Sequence, residues 1–133
     1  IGDKVLIQVA NVVKNNIRNL DCAARVGGEE FVIFLPNIRG KAAFATAERV
    51  RKAIENQIFL DSNNNAFQVT ASIGLTRSEI TNDVFSALQS ADEAVYEAKQ
   101  SGKNCVKIAS NIEFSFSPNI TFTDNSELSL FLN

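Results

Sequence analysis

Apolar residues recur along the chain at two spacings, and each spacing predicts its own kind of element. In residues 3–17, DKVLIQVANVVKNNI, Val5, Leu6, Val9, Val13 and Ile17 fall on one helical face. Asp3 stands where a helix N-cap is expected. Residues 21–36 read as two strands joined by a tight turn at Gly27-Gly28, because Gly-Gly supports the positive φ angles that hairpins need. Pro36 closes the second strand, having no N–H for a ladder. A second helix is predicted over 41–57, KAAFATAERVRKAIENQ, with Ala43, Ala47, Val50 and Ile54 inward. DSNNN at 61–65 is a turn cluster. FQVTASIGL at 67–75 alternates strictly, so Phe67, Val69, Ala71, Ile73 and Leu75 face one way along a strand. A third helix is predicted over 83–101, with Leu88, Ala91, Val95 and Ala98 inward and Gly102 suited to its C′ position. CVKIA at 105–109 reads as a short strand.

The order is helix, hairpin, helix, strand, helix, strand. Helices mixed with an antiparallel hairpin predict an α+β fold, a sheet with helices on one or both faces. Composition shifts at Ser110. No Lys or Arg follows Lys107, and Phe114, Phe116, Phe122 and Phe131 stand among Ser, Asn and Thr. The chain is therefore expected to divide into a domain over 1–109 and a tail, or the start of a further segment, over 110–133. Within the second part IEFSF alternates like a strand. Asn119-Ile120-Thr121 fits a glycosylation sequon, which a cytosolic chain does not use.

Composition narrows the chemistry more than the fold. A chain of 133 residues, 45% apolar and 21% charged, suits one ordinary globular domain. A net charge of -2 argues against a nonspecific nucleic-acid binder, which shows a basic stripe. There is no long apolar run and no signal-peptide pattern, so a cytoplasmic location is expected, or the cytoplasmic side of a membrane-anchored parent. Cys22 and Cys105 are read as two unpaired thiols in a reducing cytosol. Histidine is absent, which removes imidazole triads and most transition-metal sites. Catalysis would have to use carboxylates, amines, hydroxyls or a bound hard cation. The chain contains no methionine and begins IGDKVL, so it is expected to be a processed or excised piece.

The candidate chemistry sits in RVGGEEFVIFLP, residues 25–36. Consecutive strand residues point to opposite faces, so Glu29 and Glu30 grip one ion together only if the turn is bulged. Otherwise one binds a cation and the other takes a second role. Gly27 and Gly28 let a flat or charged ligand lie against bare backbone. Carboxylates hold Mg²⁺, and Mg²⁺ holds phosphates, so phosphoryl chemistry is a reasonable expectation. The plainer reading is a Gly-Gly turn with two solvated glutamates. Lys99 and Lys103 flank the end of the third helix, either as a pair of amines for phosphate oxygens or simply as cations favoured there. Arg18 and Asp21, in RNLD, are by default a surface ion pair.

Taken together, GDKVL, Gly27-Gly28-Glu29-Glu30-Phe31, TASIGL and SADEAVYEAKQSGKN resemble the GGDEF family of bacterial diguanylate cyclases, in order and at family spacing over residues 1–108. The resemblance implies a palm-like nucleotide-cyclase sheet with a ferredoxin-like core and flanking helices. It implies that two GTP are joined into cyclic di-GMP with release of pyrophosphate, using two Mg²⁺ per site, in a homodimer with facing half-sites. By position, it makes Glu29 a metal ligand and candidate base, and Glu30 a second essential carboxylate. Gly27 and Gly28 leave room for the nucleotide, Asp3 contacts the guanine edge, and Lys99 contacts phosphate. Lys103 stands where arginine is commoner, which costs a bidentate fork but keeps the charge. Arg18 and Asp21 lie at the spacing of the family's product-inhibition site, to which Arg49 of the neighbouring helix contributes. An upstream sensory or receiver domain is expected. The first core strand, with its metal-binding aspartate, and an asparagine that contacts guanine are absent from this chain.

Three functions are then in play. The first is the C-terminal portion of an active cyclase, with this chain inactive by itself. The second is a degenerate module that binds cyclic di-GMP or GTP as a sensor. The third, a ligand-free dimerisation scaffold, leaves the polar matches unexplained. The missing strand should leave an unpaired lane beside the hairpin, to be filled by a second copy, an upstream piece or the tail strand LSLFL at 128–132.

Overall fold

The computed structural model describes residues 2–38, 40–77, 84–109, 119–123 and 127–131. Its elements are α1 (Asp3–Asn15), β1 (Cys22–Gly27), β2 (Glu30–Phe34), α2 (Gly40–Asn56), β3 (Phe59–Leu60), β4 (Ala66–Phe67), β5 (Ile73–Leu75), α3 (Val84–Gln100), β6 (Val106–Ile108), β7 (Asn119–Thr123) and β8 (Glu127–Phe131). Among the described residues the strands pair as β1–β2, β3–β4 and β7–β8, all antiparallel, and β5–β6, parallel.

Three layers follow from which side chains meet. Phe31, Ile33 and Leu35 join Val5, Leu6, Val9 and Val13 of α1 and Ala43, Ala47, Val50 and Ile54 of α2 in one core. Val32 and Phe34 point the other way, against Ala87, Leu88 and Ala91 of α3. β2 is therefore covered on both faces, which is why FVIFL is continuously apolar rather than alternating. β5 follows the same rule. Ile73 and Leu75 enter the first core, while Gly74 lies under α3. A Cβ at Gly74 would sit 2.6 Å from the Ala91 carbonyl oxygen and 2.8 Å from the Val95 nitrogen, so glycine here is a packing requirement. The fold is thus α+β with helices on both sheet faces.

The helical faces match their spacing, but several boundaries differ. α1 stops at Asn15, and Ile17 packs against the core from outside the helix. Gly2, with extended backbone, is the N-cap in place of Asp3. Asp3 occupies the first helical turn, where its charge suits the helix dipole. The 67–75 run is not one strand. Its ladder breaks after Phe67 and resumes at Ile73, although Val69, Ala71, Ile73 and Leu75 are all buried as the alternation requires. DSNNN is a turn, closed by Asp61 Oδ1 accepting the N–H groups of Asn63 and Asn65. α3 ends in a Schellman motif around Gly102: Lys103 N donates to Ala98 O at 3.0 Å and Gly102 N to Lys99 O at 3.4 Å. Cys22 and Cys105 are unbridged. No helix among the described residues is long and apolar enough to cross a membrane.

The β7–β8 hairpin lies beside the core strands, β8 next to β2 and β7 next to β5, with Cα atoms within 8 Å. The strand expected at IEFSF, 112–116, lies outside the described residues.

Candidate active site

The hairpin is irregular where its carboxylates are. Arg25 pairs with Phe31 and Gly27 with Glu30, so the register shifts between Arg25 and Gly27. Glu29 falls in the turn and Glu30 opens β2. A flat ladder would send the two side chains to opposite faces; the bulge and the turn lift that constraint. Gly28 has φ 48, a left-handed conformation that glycine adopts without strain. A Cβ at either Gly27 or Gly28 would meet nothing within 4 Å, so the space over this turn is open. Arg25 Nε donates to the Gly28 carbonyl at 2.7 Å and ties the turn down from β1. Glu30 is exposed and Glu29 half-buried.

A cleft of about 520 Å³ runs between α1 and β1 toward this turn, lined among others by Leu6, Ala10, Arg18, Asp21, Arg25 and Phe31. Asp21, whose side chain is fully buried, accepts from three Arg18 donors: the backbone N–H at 2.7 Å, Nε at 3.0 Å to each carboxylate oxygen, and Nη2 at 2.6 Å. That pairing raises the guanidinium pKa further above its already high value. Arg18 Nη2 also donates to Pro36 O at 2.7 Å, stitching the RNLD turn to the end of the hairpin. Arg49 reaches from α2 to the end of α1 just before that turn, its Nη2 donating to the C-cap Asn16 O at 2.7 Å. Arg18, Asp21 and Arg49 therefore converge on one short segment, with Arg18 and Asp21 paired to each other.

Lys99 lies in the last turn of α3 and Lys103 just past its cap. Asp3 is exposed at the start of α1. Among the described residues, no group of three or more His, Cys, Asp or Glu is arranged to hold a metal ion. Glu29 and Glu30 supply hard oxygen donors of the type Mg²⁺ takes, but fewer than its six positions need.

The family model "Diguanylate cyclase, GGDEF domain" matches residues 1–105. This chain belongs to the GGDEF family. The GGDEF chain is 43% identical over 113 residues to Diguanylate cyclase A of Treponema denticola, covering 83% of this chain and 30% of that protein. It thus spans about a third of that curated relative's length. Among solved structures, it is similar to the diguanylate cyclase SiaD of Pseudomonas aeruginosa, determined with its activator SiaC. The TM-score is 0.72 at 31% identity, over 80% of this chain and 41% of that one. It is also similar to the GGDEF domain of DgcB from Caulobacter crescentus, determined with c-di-GMP. There the TM-score is 0.70 at 27% identity, over 80% of this chain and 64% of that one. These neighbours place the observed three-layer arrangement in the palm-like cyclase fold.

Two features of this GGDEF site were not read from sequence. Arg25 gives a weak signal, a lone cation two residues before the glycine pair. The contacts of Arg51 and Glu55 with Asn104 span 53 and 49 residues and have no local signature.

Proposed function

We propose that this chain is part of a diguanylate cyclase domain that condenses two GTP into cyclic di-GMP with release of pyrophosphate. The observation that carries this reading is the hairpin turn, where two carboxylates flank two glycines under open space, tied down by Arg25. In each step the 3′-hydroxyl of one GTP attacks the α-phosphorus of the other. A P–O bond forms, the bond to the bridging oxygen breaks, and pyrophosphate leaves with the electron pair. Glu29 takes the hydroxyl proton, and Glu30 is the second essential carboxylate. Gly27 and Gly28 admit the nucleotide, Asp3 meets the guanine edge, and Lys99 and Lys103 meet phosphate oxygens. Glu29 would be this chain's ligand to Mg²⁺, two per site, which would supply neutralisation of phosphate charge. Each protomer of a homodimer holds one GTP. Arg18, Asp21 and Arg49 form the product-inhibition site, since arginine forks suit guanine edges and phosphates. The parent works in the cytoplasm under an upstream sensory or receiver domain.

A second reading, a module that binds cyclic di-GMP or GTP without turnover, draws support from the carboxylate count. Two acids at the turn fall short of a metal site, so the 133-residue chain alone should be inactive. The test assays GTP turnover with Mg²⁺ in three proteins: this chain, this chain extended upstream by the first strand of the Treponema relative, and the extended chain with Glu30→Gln. Product from the extended chain alone is expected. Turnover by the Glu30→Gln protein within about twofold of its parent overturns the role given to the acidic pair, because loss of a transition-state charge contact costs far more. Binding of cyclic di-GMP without turnover in the extended chain selects the sensor.

A further inference from the structure

Three consecutive residues between α3 and β6 have positive φ: Gly102 at 107, Lys103 at 65 and Asn104 at 46. The first needs no explanation in a glycine. Lys103 does, because a residue with a Cβ avoids the left-handed region, which asparagine enters more readily than most. The Schellman motif accounts for part of the constraint, since Lys103 N donates to Ala98 O. The remainder comes from another helix. Arg51 Nη1 donates to Asn104 Oδ1 at 3.0 Å, and Asn104 Nδ2 donates to Glu55 Oε2. An acceptor facing the guanidinium and a donor facing the carboxylate fix which way the amide points. Arg51 is itself fixed by a fork on Glu48, Nε to Oε1 at 2.9 Å and Nη2 to Oε2 at 3.1 Å, and its side chain is only 13% exposed. One turn of α2 thus grips a strained loop by an asparagine amide. The neighbour of that asparagine is Lys103.

We propose that Arg51 and Glu55 are positioning residues that clamp Asn104 and so hold Lys103 in the pose from which it and Lys99 meet nucleotide phosphates. The inference rests on the cyclase reading and adds to it the device that aims one of its cations. A lysine is a flexible point charge with a long stem. Fixing the backbone beneath it lowers the entropy lost when it engages a phosphate. The arrangement also explains why asparagine follows the lysine. A glycine would accept the φ of 46 but offer no amide to α2, and an alanine would offer neither.

The test is calorimetric titration of GTP with Mg²⁺ into the 133-residue chain and its variants. Asn104→Ala is expected to weaken binding about tenfold, the loss of one charge-assisted contact. Asn104→Gly should weaken it equally, because relaxed backbone does not restore the clamp. Glu55→Gln, whose amide oxygen still accepts from Asn104, should bind like the parent chain, and Glu55→Ala should not. In a Lys103→Ala background, Asn104→Ala should have no further effect, since the clamp then has nothing to aim. Wild-type affinity in Asn104→Gly, or additive losses in the double variant, overturns the proposal while leaving the nucleotide site intact. Hydrogen exchange at residues 102–105 separates the other failure. If those amides lose protection in Asn104→Ala but neither this chain nor the chain extended upstream binds GTP, the nucleotide reading falls and the clamp's purpose with it.

Discussion

A methyl group added at Gly74 tests how α3 is seated on the sheet. The new Cβ would lie 2.6 Å from Ala91 O, 2.8 Å from Val95 N and 2.9 Å from Ala94 Cβ. Carbon contacts relax at roughly 3.5 Å or more, so the tightest overlap is about 0.9 Å. All three obstacles are backbone or Cβ atoms, and no rotamer change relieves them. Either α3 lifts or β5 sinks. Overpacking of this kind costs about 1–3 kcal/mol, and a rigid obstacle places Gly74→Ala at the upper end. Alanine also narrows the unfolded ensemble, which offsets roughly 0.4–1 kcal/mol because Gly74 does not adopt a left-handed backbone. The net expectation is a loss of about 2 kcal/mol, read by urea unfolding as a lower midpoint at unchanged slope. The melting temperature should fall by roughly 8 °C for a chain of this size. GTP affinity should fall with it, because α3 ends at Lys99 and the Gly102 cap. A midpoint shift worth less than about 0.5 kcal/mol would show that helix and strand have slack at this crossing, and the close-approach argument would fail.

Two further outcomes follow from the ion pairs. Arg18→Ala should weaken cyclic di-GMP binding by about 1.5–3 kcal/mol, the value of a charged hydrogen bond, and calorimetry giving equal affinities would refute the inhibitory-site reading. Glu48 is held below its ordinary pKa first by its hydrogen bond from Arg51, against the opposing effect of burial. A depressed folded-state pKa contributes stability that is present above the unfolded value of 4.5 and lost as pH falls through the folded value. Glu48→Gln should therefore lower stability near neutral pH, by about 1 kcal/mol for a partly exposed pair, and converge with the parent in acid. Unfolding midpoints that run parallel from neutral pH down to strong acid would count against this.

What could be read from the sequence was whatever repeats locally. Ala43, Ala47, Val50 and Ile54 recur at helical spacing and are all fully buried. Gly102 sits at the helix end because the Schellman geometry demands a left-handed residue there. The Gly-Gly turn was equally legible, since two glycines before a β run have few other uses. The 67–75 alternation does not make one strand, because alternation reports burial, not hydrogen bonding. Val69 and Ala71 are buried without a ladder. Asp3 was misplaced by one residue because Gly2 can also take the extended N-cap conformation, and local propensity does not choose between them. The bulge before Gly27, the Arg25 grip and the Asn104 clamp were out of reach. Each depends on a backbone path or a partner that no short window contains.

β2, which carries Glu30 at its start, has strand neighbours on both sides. Among the described residues β2 shares a ladder with β1, and β5 with β6. Beside both lies the β7–β8 hairpin, with Cα atoms within 8 Å. Stacked sheets stand about 10 Å apart and neighbouring strands about 4.8 Å, so this spacing puts the hairpin alongside the core strands rather than over their faces. The tail strand proposed from LSLFL thus corresponds to β8, beside β2, one residue earlier in register. Yet among the described residues β7 and β8 pair only with each other. The cyclase reading proposed above includes a further, upstream strand. In the cyclase reading that strand also carries the aspartate that Glu29 and Glu30 lack. Adding that strand should restore Mg²⁺-dependent turnover, and an extended chain that stays inactive with GTP would count against the reading.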